Sequence, residues 1–381
     1  RAGGEKPTRT YNRVTGTVSG PIFKNKTFFM SSYEHLRDVQ PEPATYTVPT
    51  AKMRAGDFSE FTTSVYDPAT VTSGGVRTAF AGNQIPASRI NPVAAAYAAL
   101  YPAPNLPGTS LNYFTNQLRP YDYNVILGRI DHNINGNNRV FVTSYYNKRR
   151  EDRYNWAAGA SNGDANGVIN GFAVTQGYDY RSNFGLTGGW TDTLSPTTIL
   201  DVRASYTRFG EWRDPAQTFD PAKLGFSSTA LGLMGGYQYL PLMTFGSFST
   251  TNSGSTISSL GSQRADWGEG FSRPMKFLSL TPTVTKVWSD HTMRAGYDMR
   301  YMNWNIENSG YPGGRFSFNG AYTRLNNSAA TNDRAQSWAQ FLLGLPTAAT
   351  GAVATPGTVS SQFETAALGN VRRFMWANDF P

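Results

Sequence analysis

The chain has 381 residues, no Cys, and 34 Lys and Arg against 26 Asp and Glu, a formal net charge of +8. Without thiols there are no disulfide staples and no thiolate metal sites, and no run approaches the roughly 18 apolar residues of a membrane helix. The positive charge is scattered through alternating segments, with no basic helix and no aromatic RNA-binding signature, so nucleic acid is excluded as the partner, whereas anionic lipid head groups suit such a surface.

In chain order, Arg13–Ser19 sets Arg13, Thr15, Thr17 and Ser19 against Val14, Gly16 and Val18, and after a tight turn near Pro21–Thr27 the segment Phe28–Glu34 returns, with His35 at its end. Period-two alternation of this kind marks a strand. A long connection, Arg37–Pro120, follows. Within it Asn91-Pro92 opens a short helix carrying Val93, Tyr97 and Leu100 on one face, and Pro102 ends it. Strands Tyr121–His132 and Arg139–Asn147 flank a turn at Asn133–Asn138. After the connection Lys148–Tyr178 comes the clearest hairpin, Tyr180–Gly210. Phe184, Leu186 and Trp190 share one parity there, and Leu200, Val202, Ala204 and Tyr206 continue it after the turn Thr191–Thr198. The connection Glu211–Pro274 holds Gly225–Gly261, rich in Gly, Ser, Tyr, Leu and Met, either the lining of an external vestibule or an ordered cap. A second hairpin pairs Leu278, Leu280, Val284 and Trp288 with Met293, Ala295, Tyr297, Met299 and Tyr301 across Ser289–Thr292. Pro282 inside its first arm removes a ladder hydrogen bond or marks a bulge. The last connection, Asn305–Asn370, contains a further strand near Arg315–Thr323 and a helix capped by Asp333 with Trp338, Phe341, Leu342 and Leu345 at helical spacing. A final strand lies near Val371–Phe380. Both helices read as loop cores rather than ligand sites.

Short turns and long connections alternate without exception. A soluble sheet has no reason to send every long loop to one side. A transmembrane barrel has, because one rim faces the periplasm and the other the outside. The expected fold is therefore all-β, an antiparallel transmembrane β-barrel in the outer membrane of a Gram-negative cell, with long extracellular loops and short periplasmic turns. The nine or ten strands found here are part of its wall, since an open sheet leaves an unpaired edge in lipid. Trp190 and Trp288, each the last apolar-face residue before a tight turn, fit an aromatic girdle at the membrane surface. The alternative is a pair of core Trp residues in a soluble sandwich. Arg129 and Asp131, Asp201 and Arg203, and Asp298 and Arg300 each place opposite charges two residues apart on the expected lumen face. They either hold and release an interior domain or balance one another on a hydrated wall. No catalytic constellation appears. His35, His132 and His291 lie at strand ends or turns without metal spacing, and there is no nucleophile elbow or phosphate loop, so neither enzyme nor cofactor is expected.

Gly20–Phe29 (GPIFKNKTFF) resembles the GGPI-x-KNKTFFF hairpin of Oar-like TonB-dependent receptors, the group that often carries an N-terminal carboxypeptidase-regulatory-like domain. Val48–Ser59 (VPTAKMRAGDFS), Val65–Thr70 (VYDPAT), Gly82–Ile90 (GNQIPASRI), Leu100–Asn105 (LYPAPN), Gly128–Asn133 (GRIDHN) and Phe341–Pro346 (FLLGLP) follow in that family's order. Two places depart from its pattern: Ser19-Gly20 stands where a Gly pair is usual, and Trp376-Ala-Asn-Asp379 where an acidic QDDW strand is. The resemblance implies one barrel domain of 22 strands, of which residues 1–381 are a part. The plug and the TonB-box segment that meets the inner-membrane TonB complex are expected before Arg1, and the remaining strands after Pro381. It also implies import of an external ligand. The competing readings are a structural or adhesion protein on the same barrel, with surface-protein partners, and a passive porin.

Overall fold

The computed structural model describes residues 8–152, 178–214, 219–233, 240–246, 256–261, 275–308, 315–331, 333–349, 352–353 and 372–379. Its main element is a ten-stranded antiparallel sheet. The strands are β1 (Thr10–Phe23), β2 (Thr27–Tyr46), β3 (Tyr113–Asn133), β4 (Asn138–Asp152), β5 (Tyr178–Ser195), β6 (Thr198–Asp214), β7 (Met275–Trp288), β8 (His291–Gly296), β9 (Met299–Asn308) and β10 (Arg372–Asp379). Chain neighbours pair in order, β1 to β7, then β9 and β10, with β8 also on β7. The chain reverses through Lys24–Lys26, where Asn25 takes a positive φ of 63°, a conformation Asn tolerates better than most residues. At the next short turn Asn135 Oδ1 accepts from the backbone N–H groups of Asn137 and Asn138 at 2.9 Å, an Asx turn.

β8 and β9 are one line of chain interrupted opposite Pro282. Thr283 faces Gly296 and Leu280 faces Met299 in a single unbroken register. Tyr297 N–H still donates to Pro282 O at 3.0 Å, but Pro282 has no N–H to return the bond. The proline thus removes a ladder bond without producing a bulge.

β2 and β3 run further than their alternation indicates. They pair from Thr27↔His132 to Tyr46↔Tyr113, so the connection expected to begin at Arg37 begins only at Thr47, and His35 lies in mid-strand. Pro41, Pro43 and Pro120 fall within the stretch expected to be a connection; β1 pairs with β2 only as far as Val39, and β4 pairs with β3 only from Tyr121 onward. Among the described residues, the prolines therefore sit where the strand is paired along one edge only, the position a sheet tolerates. At about 3.4 Å per residue β2 is on the order of 65 Å long, far more than the ten or so residues that cross a bilayer, so its upper half stands clear of the apolar band.

One face of the sheet is apolar and uncovered. Register places Val18, Ile130, Val142, Leu186, Tyr206, Leu278 and Tyr301 on it, and Val14 (62%), Val18 (58%) and Ile126 (51%) are all exposed. On β7 the apolar positions run from Leu278 to Trp288, a rise that corresponds to about 25 Å across a membrane at the usual tilt. The opposite face is polar.

The buried core lies elsewhere, in the connections. Segments after β2, after β6 and after β9 fold together as a cap with a single core that includes Phe58, Tyr97, Met243, Phe245, Phe316, Phe318, Trp338 and Phe341. Asn91 caps α2 (Pro92–Ala98) through bonds to Val93 and Ala94 N–H, and Asp333 caps α4 (Arg334–Leu342) through Gln336 N–H; among the described residues the other α-helices are α1 (Ala51–Arg54) and α3 (Ser228–Leu233). Val93, Tyr97, Leu100, Trp338, Phe341, Leu342 and Leu345 are all buried, so both expected helices are loop cores. Arg315–Phe318 is a strand, but it is not part of the wall: it pairs in parallel with Leu242–Phe245 inside the cap. Its Phe316 and Phe318 are buried on one side, alternation that serves a small cap sheet as well as a barrel. The described parts of Gly225–Gly261 likewise form cap core.

Removing the Trp338 side chain tests whether the connections form one body. Trp338→Ala should destabilise the cap by about 3–5 kcal/mol. Limited proteolysis should then cut all three connections together, while heat-modifiable migration of the barrel in gels stays unchanged.

Candidate functional site: the polar face and its cap

The three charge pairs close within their own strands. Arg129 grips Asp131 with two bonds of 2.7 Å and donates to Thr143 Oγ1 at 3.1 Å. Arg203 Nε donates to Asp201 at 2.8 Å, and Thr191 Oγ1 to the other Asp201 oxygen at 2.9 Å. Arg300 bonds Asp298 at 2.7 and 3.1 Å. All six residues lie on the polar face by register, but the pairs do not meet. Two strands lie between β3 and β6, three inter-strand spacings or roughly 14 Å. The Arg129 guanidinium also stacks on Phe141, 4.2 Å from the ring centre. That ring in turn lies over Gly189, where a Cβ would fall 2.1 Å from it; the glycine makes room for the aromatic ring of the neighbouring strand.

A larger charge network lies nearer the cap; Asp38, Gln40, Arg119, Arg149, Glu151 and Glu211 in it fall in stretches expected to be connections. Arg9 bonds Asp38 at 2.6 and 2.7 Å, Gln40 Nε2 donates to Asp38 at 2.7 Å, and Arg119 donates to Gln40 Oε1 at 2.8 Å. Arg119 lies 3.7 Å from Glu151, which lies 3.5 Å from Arg149. Arg149 reaches Asp179 at 2.7 Å, and Arg181 spans from Asp179 (3.7 Å) to Glu211 (2.9 Å). The result is a lateral belt from β1 to β6. The Asp179 side chain is only 1% exposed and that of Glu151 7%. Alternation carried beyond Glu34 and Asn147 would have found it, because Arg149 and Glu151, Asp179 and Arg181 keep the parity of Arg129 and Asp131.

Trp190 and Trp288 lie on the apolar face at the short-turn rim. Trp288 is 70% exposed, and Trp190 donates from Nε1 to Asn138 Oδ1 at 3.0 Å. His35 contacts Asn124 at 2.9 Å and His132 contacts Thr27 at 2.8 Å. Among the described residues no three His, Asp or Glu could hold a metal, and no helix is long and apolar enough to cross a membrane.

The cap above the wall is cross-tied by buried polar groups. The Tyr97 hydroxyl sits between the carbonyls of Pro241 (2.7 Å) and Leu260, Tyr101 donates to Ser258 O at 3.0 Å, and Trp338 Nε1 donates to Met53 O at 3.0 Å. Burial pushes both phenols well above the usual tyrosine range, so they remain neutral donors. Burial, the largest influence, would raise the Asp67 carboxyl, but the Arg89 fork at 2.9 and 3.0 Å and the Ala69 N–H at 2.9 Å together outweigh it and hold the group below its ordinary range.

The family model described as Outer membrane beta barrel domain matches residues 1–369. A comparison with curated proteins finds no match.

Two outcomes follow from this geometry. Asp179→Asn leaves Arg149 and Arg181 facing a neutral amide in a buried position and should cost about 3–5 kcal/mol; Asp298→Asn, in an exposed pair, should cost no more than ~1 kcal/mol. Unfolding midpoints of the detergent-solubilised protein in urea separate the two. Because the folded Asp67 carboxyl is depressed, its contribution is complete above the unfolded value near ~3.9 and disappears as pH falls through the lower folded value. Acid titration below about pH 4 should therefore expose the cap to protease, and Asp67→Asn should remove that part of the pH response.

Proposed function

The chain belongs to the outer-membrane β-barrel family, and from that premise we propose that it is the wall and surface-loop portion of an Oar-like TonB-dependent receptor that imports a ligand from outside the cell to the periplasm. The observation that carries the reading is the cap. Long connections converge at one end of the wall and share a core, above a face lined with paired charge and hydroxyl groups. In this reading the cap faces outward and captures the ligand. The polar face, including Arg129, Asp131, Asp201, Arg203, Asp298 and Arg300, lines the lumen of a barrel of 22 strands and contacts a plug contributed from outside this chain. Self-paired charges suit a wall against which a plug must slide, because each Arg keeps its carboxylate whether the plug is present or displaced. Trp190 and Trp288 anchor the short-turn rim at the periplasmic interface. The ordered motifs from Gly20 to Pro346 support the receptor assignment over other barrels, and the chain contributes binding and passage rather than chemistry.

The test uses the full-length protein in its own membrane. Cells should take up a ligand that co-purifies with the protein, and uptake should cease when the gene is deleted or the proton gradient is collapsed. In planar bilayers the purified protein should be electrically silent. Steady ohmic conductance would instead identify a passive porin. Ligand-independent growth together with stable surface-protein partners would identify a structural or adhesion role.

A further inference from the structure

At the short-turn end of the wall, neighbouring hairpins enclose an open cleft of about 700 Å³ between the turn at Asn25 and Lys26, the turn Asn133–Asn138 and the end of β5 at Thr193. Such a volume is in the range of ligand pockets. Asn133, Arg139 and Thr191 follow one another across the register with the parity of Asp131, so the cleft opens on the polar face. Its lining lies beyond the row of Trp190, which is level with Val140, His132 and Thr27. The cleft is therefore reached from water at the rim.

Backbone bonds between and within the hairpins fix its shape. Asn133 N–H donates to Lys26 O at 2.8 Å, Thr193 N–H to Asn137 O at 2.9 Å, and Ile134 N–H to Asn138 O at 2.9 Å. The Asx turn at Asn135 braces the middle wall from inside. A cleft held in this way is formed before a ligand arrives, which lowers the cost of binding.

The chemistry of the lining is one-sided. None of its residues is acidic or aromatic, and two are cations. Among the described residues Lys26 has no ion pair. Arg139 comes only within 3.9 Å of Asp131, a carboxylate that Arg129 already holds with two bonds of 2.7 Å. The side-chain amides of Asn25 and Asn137 and the hydroxyl of Thr193 make no hydrogen bond to the described residues. Each amide offers donors and an acceptor together. An extended peptide presents the matching set, one N–H and one C=O per residue. A lone anion would use the cations and leave the amides idle, and a sugar would find no ring to stack on.

We infer that this cleft binds an extended acidic peptide segment of another protein. Asn25, Asn137 and Thr193 bond its backbone, and Lys26 and Arg139 take its carboxylates through charge-assisted bonds. That the partner is periplasmic rests on the orientation proposed above; the binding itself does not.

The test uses the full-length protein in phosphatidylcholine nanodiscs, which leave both rims in water. A fluorescein-labelled hexapeptide alternating Glu and Thr is titrated and followed by anisotropy. Binding should saturate and weaken with salt. The same peptide with Gln for Glu should bind about tenfold more weakly, a contrast that needs no variant. Lys26→Gln/Arg139→Gln should lose about tenfold together with most of the salt dependence. Asn137→Ala should lose about fivefold and keep it. Lys286→Gln, at the same rim but bonded to Thr197 and Thr198, should bind as the parent does. Equal binding of the two peptides, or unchanged binding by variants that retain heat-modifiable migration, would overturn the proposal. So would displacement by free glutamate at equal carboxylate concentration, which means a bare anion site, or by a chitin oligosaccharide, which means a sugar site. A photo-cross-linking residue at position 193 that captures the protein's own chain in place of the peptide would likewise overturn it, since a plug segment then fills the cleft. Failure of the receptor reading would show in uptake and leave these titrations unchanged.

Discussion

The wall depends on backbone pairing that has no protein cover to support it. Its apolar face is open and the core is in the cap, so no packed interior holds the strands together. The inter-strand ladder must satisfy nearly every N–H and C=O that lies at membrane depth, because lipid offers no alternative partner. The proline positions express this constraint. Among the described residues, Pro41, Pro43 and Pro120 occupy stretches paired along one edge only, above the apolar band. Pro282 alone stands between two paired neighbours, and there the missing donor interrupts β8 and β9 without shifting their register.

Two kinds of burial then divide the molecule. The cap folds as soluble proteins do, with Trp338, Phe341, Phe245 and Phe318 packed at ring separations near 5 Å and their polar neighbours bonded to carbonyls. The wall instead keeps its charges balanced on one face and sends its apolar groups outward. β2 and β3 join the two regimes: their lower halves belong to the membrane wall, while their upper halves carry the belt around Asp38 and Arg119 and lead into the cap core at Val48 and Tyr113.

Much of this was readable from the chain, and what escaped did so for physical reasons. Period-two alternation located the hairpins and their faces correctly, because a half-buried strand encodes its orientation in every second residue. The caps at Asn91 and Asp333 located the two helices, because their chemistry is local. The strand ends were lost. Proline and charge mean loop in a sheet's interior but are admissible along a free edge, and no single strand reveals whether it has a neighbour. For the same reason the charge network from Arg9 to Glu211 was missed, although its residues keep the parity of the pairs that were found. Arg315–Phe318 looked like wall because alternation does not say which sheet a strand joins.

The shared core of the cap has a consequence in time. Phe58, Phe245 and Phe341 are separated by long stretches of chain and meet only when the strands between them have been laid side by side. Contacts so distant in sequence are slow to form on their own, since each must first close a large loop. The wall does that closing: once β3 to β9 are paired, the roots of the three connections are held close together. The cap is therefore the last part of the protein to fold, and its packing reports that the barrel beneath it has been assembled in the right order.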